Sequence, residues 1–432
     1  MDYQAALAYI SSFGRFGSRP GLERMNWLLE RLGHPDKSLR FIHIGGTNGK
    51  GSTSALVYNI LRAAGYRVGM FTSPYLESFT NRIGVQGEDI KVEHLVALVK
   101  RLRPLFDEIN QTALGPITQF EVTTTLALVY YQQLELDFVV WEVGLGGRLD
   151  ATNVVKPIVS VITNIGRDHT EVLGETITAI ASEKAGIIKP KVPLITAVQD
   201  AEAWQVIAAH AAALEAPVYL LGVDFSYRRN SFTLQGQSFD YRDSQVEWRD
   251  LRLHLLGEHQ CKNAATALAV TSELRKQGFN IDENACRRGL EATRWLGRLE
   301  IMCDDPLVIV DGAHNPHGTR VLQQALQEYF PGRPITMVLG ILRDKERQEM
   351  LAHLLPLASR VIFAAPSYGR AIDPALLLKD AAAYKIPAST AATVAEAIDA
   401  ALAGVAPNEV VLVAGSLYTV AEARERLKEV CK

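Results

Sequence analysis

The sequence predicts an α/β protein with mostly parallel sheets, and three observations carry that prediction. Short apolar runs alternate with helical patterns through most of the 432 residues. The strand-like runs are continuous and β-branched rather than alternating, as expected of a sheet covered on both faces. The alternation stops for some thirty residues and then restarts, which divides the chain into two units.

In the first unit the apolar runs Phe41–Ile44, Val68–Thr72, Phe138–Val143, Ile158–Thr163, Val192–Ala197 and Val218–Leu221 read as strands. Ser52–Ala64, Glu121–Gln133 and Thr176–Ile188 between them read as helices. From Asp224 to Leu256 short alternating segments (FSYRRNSFTLQG, FDYRD) read as antiparallel hairpins, and a helix follows at Asn263–Lys276. Near Gly297 a second, smaller, Rossmann-like α/β unit begins. Its four expected strands are Leu307–Val310, Ile335–Leu339, Val361–Ala364 and Val410–Val413.

Length and composition set limits. A chain this long suggests two domains or three. With 48% apolar and 22% charged residues it is an ordinary globular composition. The net charge of −3 implies neither a nucleic-acid nor a membrane partner. The four cysteines (Cys261, Cys286, Cys303, Cys431) are scattered, without metal-ligand spacing or a disulfide framework, and fit a reducing cytoplasm. The first 25 residues lack the apolar stretch of a signal peptide. No apolar run reaches the roughly 18 residues a spanning helix needs.

The most informative stretch is FIHIGGTNGKGS at 41–52, an apolar strand entering a glycine-rich loop with a lysine. Its glycines let backbone N–H groups approach an anion, Lys50 supplies a cation, and the helix from Ser52 offers its N-terminus. That is the construction of a P-loop, and it implies a nucleoside triphosphate. The fit to G-x-x-x-x-G-K-[ST] is imperfect. The first glycine of the pattern falls on Ile44, and Gly51 stands where the metal-binding hydroxyl belongs.

Ligands of open α/β sheets gather beyond the carboxyl ends of strands. Glu142 ends one such strand beside the P-loop and is placed to hold Mg²⁺, with a capping or salt-bridged glutamate as the lesser alternative. Ser73 follows Val68–Thr72 and could supply the hydroxyl that Gly51 lacks, or simply cap its loop. His169 in TNIGRDHTEVLG sits where metal or phosphate would bind, but a lone loop histidine is commonly inert. Lys184 lies on a helix, where a solvated lysine is the default. In the second unit Asp311, His314 and Asn315 of VIVDGAHNPHG, and Ser416 of VVLVAGSLYTV, also follow strands.

Taken together these segments resemble the folylpolyglutamate synthase and dihydrofolate synthase family of the Mur ligase superfamily. The matching stretches are GTNGKGS at 46–52, FTSPYLESFTNRI at 71–83, EVGLGGRLDATN at 142–153, TNIGRDHTEVLG at 163–174, EKAGIIK at 183–189, GEHQCKNAATALA at 257–269, GRLE at 297–300 and DGAHNPHG at 311–318. The P-loop begins within 45 residues, which leaves no room for the nucleotide-sugar domain of peptidoglycan ligases and points to a folate substrate.

The resemblance implies an ATP-binding P-loop ligase domain with a folate site over 1–296 and a Rossmann-like glutamate ligase domain over 297–432. It implies that ATP phosphorylates a pteroate or folate carboxylate and that glutamate's amine attacks the acyl phosphate. By resemblance, Thr47, Asn48, Gly49, Lys50, Gly51 and Ser52 cradle phosphates, and Asn263, Arg298, Asp311 and Ser416 also contact the nucleotide. Ser73, Glu142 and His169 hold Mg²⁺. Lys50, His169, Lys184, Asp311 and His314 form the catalytic set, with Lys184 matching a lysine that carries a CO₂-derived carbamate. A K⁺ ion is a further implied cofactor. The pterin falls near Gly21-Leu22, near Thr118, Gln119, Phe120 and Glu121, and near Leu149-Asp150-Ala151, with Phe120 available for stacking.

The expected substrates are 7,8-dihydropteroate, reduced folates and L-glutamate, for a cytoplasmic monomer. The GGRLDATN segment resembles enzymes that both make dihydrofolate and extend the glutamate tail. Folylpolyglutamate synthase alone is the nearest alternative, ahead of a Mur-type ligase for another carboxylate. A P-loop ATPase switch or binding protein is the alternative of a different class; a GTPase is disfavoured because the chain lacks N-K-x-D.

Overall fold

The computed structural model describes residues 1–14 and 21–431. Its first half is an eight-stranded sheet in the order Glu88–Asp89, Ile83–Val85, Val68–Phe71, Phe138–Glu142, Phe41–Gly45, Val159–Ile162, Leu194–Thr196 and Val218–Leu220. The six strands from Val68–Phe71 onward are parallel, and the two at the first edge are antiparallel.

Every residue of Phe41–Gly45, Phe138–Glu142 and Val159–Ile162 is buried, which explains their unbroken apolar sequences. Alternate side chains feed two cores. Ile42, Ile44 and Val140 pack with Leu56 and Leu61 of helix Lys50–Ala63 and with Leu268 of helix Glu258–Lys276. Phe41, Val139 and Trp141 pack with Leu28 and Leu126 on the other face. The expected hairpins form a three-stranded antiparallel sheet, Phe225–Thr233, Gly236–Asp243 and Glu247–Leu253. Its Phe239 and Leu251 join the core beside helix Glu258–Lys276.

The second half holds six strands rather than four, ordered Glu300–Asp304, Leu307–Val310, Val410–Ala414, Ile335–Leu339, Arg360–Phe363 and Ala388–Thr390. The two additional strands lie at the edges. Glu300–Asp304 runs antiparallel and Ala388–Thr390 is short and mostly exposed, so neither carries a buried apolar run. The Cys303 and Cys431 sulfurs are joined, tying the Glu300–Asp304 edge to the end of helix Leu417–Val430. Cysteine spacing alone does not reveal that pairing. Among the described residues no helix is long and apolar enough to cross a membrane.

Register decides what meets at the strand ends. Ile44 lies opposite Glu142, Gly45 opposite Ile162, and Phe71 opposite Trp141. The glycine-rich loop therefore emerges between Glu142 and the 163–170 loop, and the loop bearing Ser73 emerges on the far side of Glu142.

Candidate active site

One central cavity between the two sheets is lined by the P-loop, by Ser73, Glu142, Asp168, His169 and Lys184, and by Asn263, Arg298, Asp311 and His314. Gly49 caps helix Lys50–Ala63 at φ +81°, a left-handed conformation that suits glycine, and a Cβ there would sit 2.6 Å from Asn263 Oδ1. Thr47 Oγ1 accepts from Gly166 N at 3.0 Å, and Asn48 N donates to Asn164 Oδ1 at 2.9 Å. Lys50 Nζ lies back over its own loop, donating to Gly46 O at 3.0 Å and Thr47 O at 3.1 Å. Ser52 is buried in the first turn of the helix. Gly51 has a local reason to lack a side chain, because a Cβ would meet Trp295 Nε1 at 2.8 Å.

Glu142 is buried, and its carboxylate accepts one long hydrogen bond, from Ser73 N at 3.3 Å. Burial raises its pKa to about 7 against the pull of Lys50. His169 begins the short helix Thr170–Leu173, and burial lowers its imidazole to about 4. Lys184 is not the solvated lysine its helix suggests. It is buried, donates to Gly46 O at 3.1 Å, and is lowered to about 7 by burial and then by the Lys50 charge. Among the described residues no three His, Cys, Asp or Glu side chains form a ready-made metal cluster. The strand-end set offers two such groups and the Ser73 hydroxyl.

The second half contributes the opposite wall. Asp311 is buried and its two oxygens accept from Leu299 N and Ala313 N, both at 2.8 Å, while burial raises its pKa. His314 Nδ1 donates to Gly312 O at 2.8 Å, which directs Nε2 toward Asp168 Oδ2 at 3.6 Å. Asn48 and Asn315 exchange amide hydrogen bonds of 3.2 and 3.0 Å across the boundary. Ser416 does not line the cavity; it caps helix Leu417–Val430, accepting from Thr419 N at 3.1 Å.

Residues expected around the pterin lie beside this cavity rather than in its wall. Phe120 packs on Phe71 with ring centroids 5.9 Å apart. A Cβ on Gly144, which does line the cavity, would meet both Phe120 and Asp150, at 2.5 and 3.1 Å. Asp150 accepts from Leu145 N and Thr152 N, so its carboxylate shapes its own loop, next to Ala151. Glu121 accepts from Thr118 N at 2.7 Å and pairs with Arg24 at 2.9 Å, both buried. Gln119 N donates to Gly14 O at 2.9 Å. Gly21 and Leu22 precede helix Glu23–Arg31, and Leu149 is exposed.

Sequence reasoning missed Asp168 and Lys345, which meet at 2.6 Å, and Trp295 against Gly51. Asp168 lies in TNIGRDHTEVLG, one residue before His169. Lys345 had no local signal.

A P-loop, buried carboxylates at strand ends with Lys50 and Lys184 of the neighbouring helices, and a second α/β sheet closing the same cavity define an ATP-dependent ligase of two joined nucleotide-fold domains. A family model for the Mur ligase middle domain matches residues 44–271, and one described as Mur ligase, glutamate ligase domain matches 297–417. The dihydrofolate synthase/folylpolyglutamate synthase of Bacillus subtilis is 40% identical over 432 residues, covering 99% of each chain. The Mycobacterium tuberculosis folylpolyglutamate synthase complexed with ADP superposes with a TM-score of 0.93 at 34% identity, covering 99% of each chain. An FPGS–AMPPCP–folate complex gives 0.88 at 35% identity, covering 99% of this chain and all of that one. The chain belongs to the folylpolyglutamate synthase/dihydrofolate synthase family of the Mur ligase superfamily. It is an acid–amino-acid ligase that uses ATP.

Proposed function

We propose that the chain is bifunctional, adding L-glutamate to 7,8-dihydropteroate and to the glutamate tail of reduced folates. The observation that carries the reaction is the convergence of Lys50, Glu142 and Lys184 with Arg298, Asp311 and His314 on one cavity. The γ-phosphoryl of ATP moves to a carboxylate oxygen of the acceptor and ADP leaves. Glutamate's amine then attacks the acyl carbon, the C–O bond to phosphate breaks, and inorganic phosphate departs. Lys50 and Arg298 stabilise charge on the transferring phosphoryl. Because Nδ1 of His314 already donates to Gly312 O, its Nε2 is available to take the amine proton, with Asp168 stabilising the imidazolium. Two domains meeting over the cavity keep water from the acyl phosphate.

The donor set suits Mg²⁺: among the described residues the buried Glu142 carboxylate accepts one long hydrogen bond, and Ser73 and His169 share its cavity. Those three residues would hold the ion, whose chemistry is to neutralise phosphate charge. Lys184 suits carbamylation, since an uncharged amine near neutrality can attack CO₂, forming an N–C bond and losing a proton to solvent. Thr47, Asn48, Gly49, Gly51, Ser52 and Asn263 accompany the phosphates, and Phe120 flanks the pterin. Division into 1–296 and 297–432, a cytoplasmic monomer, and K⁺ as an activator complete the reading; a potassium titration of the ligation rate checks the last.

The test is ligation with ATP, Mg²⁺ and glutamate on each acceptor, with products weighed by mass spectrometry. One glutamate added to both acceptors is expected. Addition to tetrahydrofolate alone would reduce the reading to folylpolyglutamate synthase. Phosphate release without amide would overturn the folate assignment.

A further inference from the structure

Asp168 belongs to the first half of the chain, yet most of its partners belong to the second. Its Oδ1 lies 2.6 Å from Lys345 Nζ, and its Oδ2 accepts from Asn315 Nδ2 at 2.8 Å and lies 3.6 Å from His314 Nε2. On its own side it accepts from His169 N at 2.9 Å, and its Oδ1 is 3.9 Å from His169 Nε2. One carboxylate thus stands between two of the imidazoles that line the site, His169 from the first half and His314 from the second. The residues are partly buried, but their paired side chains are only 8% exposed for Asp168 and 5% for Lys345.

The surroundings extend the same link. Asn315 caps helix Pro316–Tyr329 through Gly318 N at 2.7 Å while its amide pairs with Asn48 of the P-loop. Lys345 follows strand Ile335–Leu339, and its second carboxylate neighbour among the described residues is the more distant Asp344 at 3.8 Å. A buried ion pair is favourable only while its hydrogen bonds are complete, whereas the same pair in water contributes little. Separating the halves would break every cross-boundary bond of Asp168 in one step.

We infer that Asp168 is a positioning residue that clamps the two halves together through Lys345 and Asn315, fixing His314 and the P-loop in one geometry. The inference rests on the ligase reading for its kinetic consequence but not for its structural one. Misplacing a reacting group by about 1 Å costs about 100-fold in rate, so loss of the clamp should appear in kcat.

The experiment compares Asp168→Asn, Lys345→Met, the double variant and Lys345→Arg in the full chain. Asparagine keeps the shape but sets an NH₂ against either Asn315 Nδ2 or Lys345 Nζ. Each single variant is expected to lower kcat about 10-fold to 100-fold, with KM for ATP within about threefold of the wild type. The double variant should be no worse than the poorer single one, and Lys345→Arg should recover most of the rate. Small-angle scattering with AMPPCP should show a larger radius of gyration in Asp168→Asn and Lys345→Met, at unchanged circular dichroism. Wild-type kcat in either single variant, multiplicative losses in the double, or unchanged scattering would overturn the clamp. If a variant does not fold, the Lys345→Arg comparison and the scattering of its partner variant decide. A wild-type chain that makes no amide would condemn the ligase reading, while the scattering comparison would still judge the clamp.

Discussion

Lys50 and Lys184 donate to the same backbone carbonyl, Gly46 O, at 3.0 and 3.1 Å. Two ammonium groups on one dipole repel each other, and both are removed from water. Burial lowers Lys50, against the pull of Glu142 and Asp168, and lowers Lys184 to about 7. Lys184 therefore supplies uncharged amine near neutrality, while Lys50 stays closest to the phosphate loop. A carbamate on Lys184 would replace a repulsion with an attraction.

Wild-type ligation should fall in CO₂-depleted buffer and return with bicarbonate. Lys184→Ala should lose about 100-fold or more in kcat, and bicarbonate should not restore it. Amide formation measured against bicarbonate concentration checks both. A rate indifferent to CO₂ removal would leave Lys184 with no role beyond charge.

Stability of the ligand-free chain should vary with pH in a specific way. The Glu142 carboxyl moves from 4.5 to about 7 on folding, so between those values the folded state holds more protons, and stability falls as pH rises. The Lys184 amine moves from 10.5 to about 7, so between about 7 and 10.5 the unfolded state holds more protons, and stability rises with pH. The two contributions together give a minimum near pH 7. Urea midpoints for wild type, Glu142→Gln and Lys184→Met check this. The first variant should flatten the acidic limb and the second the alkaline limb; unchanged slopes would refute the assignment.

How far the sequence foretold this site depends on the range of the interaction. The P-loop, Glu142 and His169 were legible because strand, loop and helix follow one another locally, and parallel register then brings their ends together. The edge strand Glu300–Asp304 escaped because its residues are only half-buried and carry no unbroken apolar pattern. Lys184 read as solvated because nothing within its helix reports that the Gly46 loop covers it. The Asp168–Lys345 pair joins segments far apart in the chain, and no spacing rule connects them. Ser416 also follows a strand, and that place makes it the cap of helix Leu417–Val430, a role that loop position alone does not separate from ligand binding.

The departure of the P-loop from its usual pattern should be enforced by packing. A Cβ on Gly51 would fall 2.8 to 3.0 Å from three atoms of the Trp295 indole, which is only partly exposed. Gly51→Ala should destabilise by about 1–3 kcal/mol through overpacking, despite alanine's better helix propensity. Trp295→Leu should relieve most of that loss when combined with it. Thermal unfolding of the two single variants and the double variant checks the coupling. Additive effects would mean that Gly51 and Trp295 do not compete for space.

Glu121 poses the sharpest choice between binding and architecture. Its carboxylate accepts from the Thr118 backbone and hydroxyl at 2.7 and 2.8 Å and pairs with Arg24, all out of water. That capping box starts helix Gln119–Gln132, which carries Phe120 toward Gly144 at the cavity edge. Removing the carboxylate strips the cap and breaks the buried ion pair with Arg24, so Glu121→Ala should cost about 3 kcal/mol of stability. Glu121→Gln keeps a hydrogen-bond acceptor but loses the charge and should cost less. If Glu121 serves the pterin only by setting this helix, KM for the acceptor should rise in proportion to the lost stability and be relieved at lower temperature. If it touches the pterin itself, Glu121→Gln should raise that KM with the unfolding midpoint nearly unchanged. Acceptor KM and thermal midpoint measured together on both variants separate the two, and the geometry of the capping box favours the first.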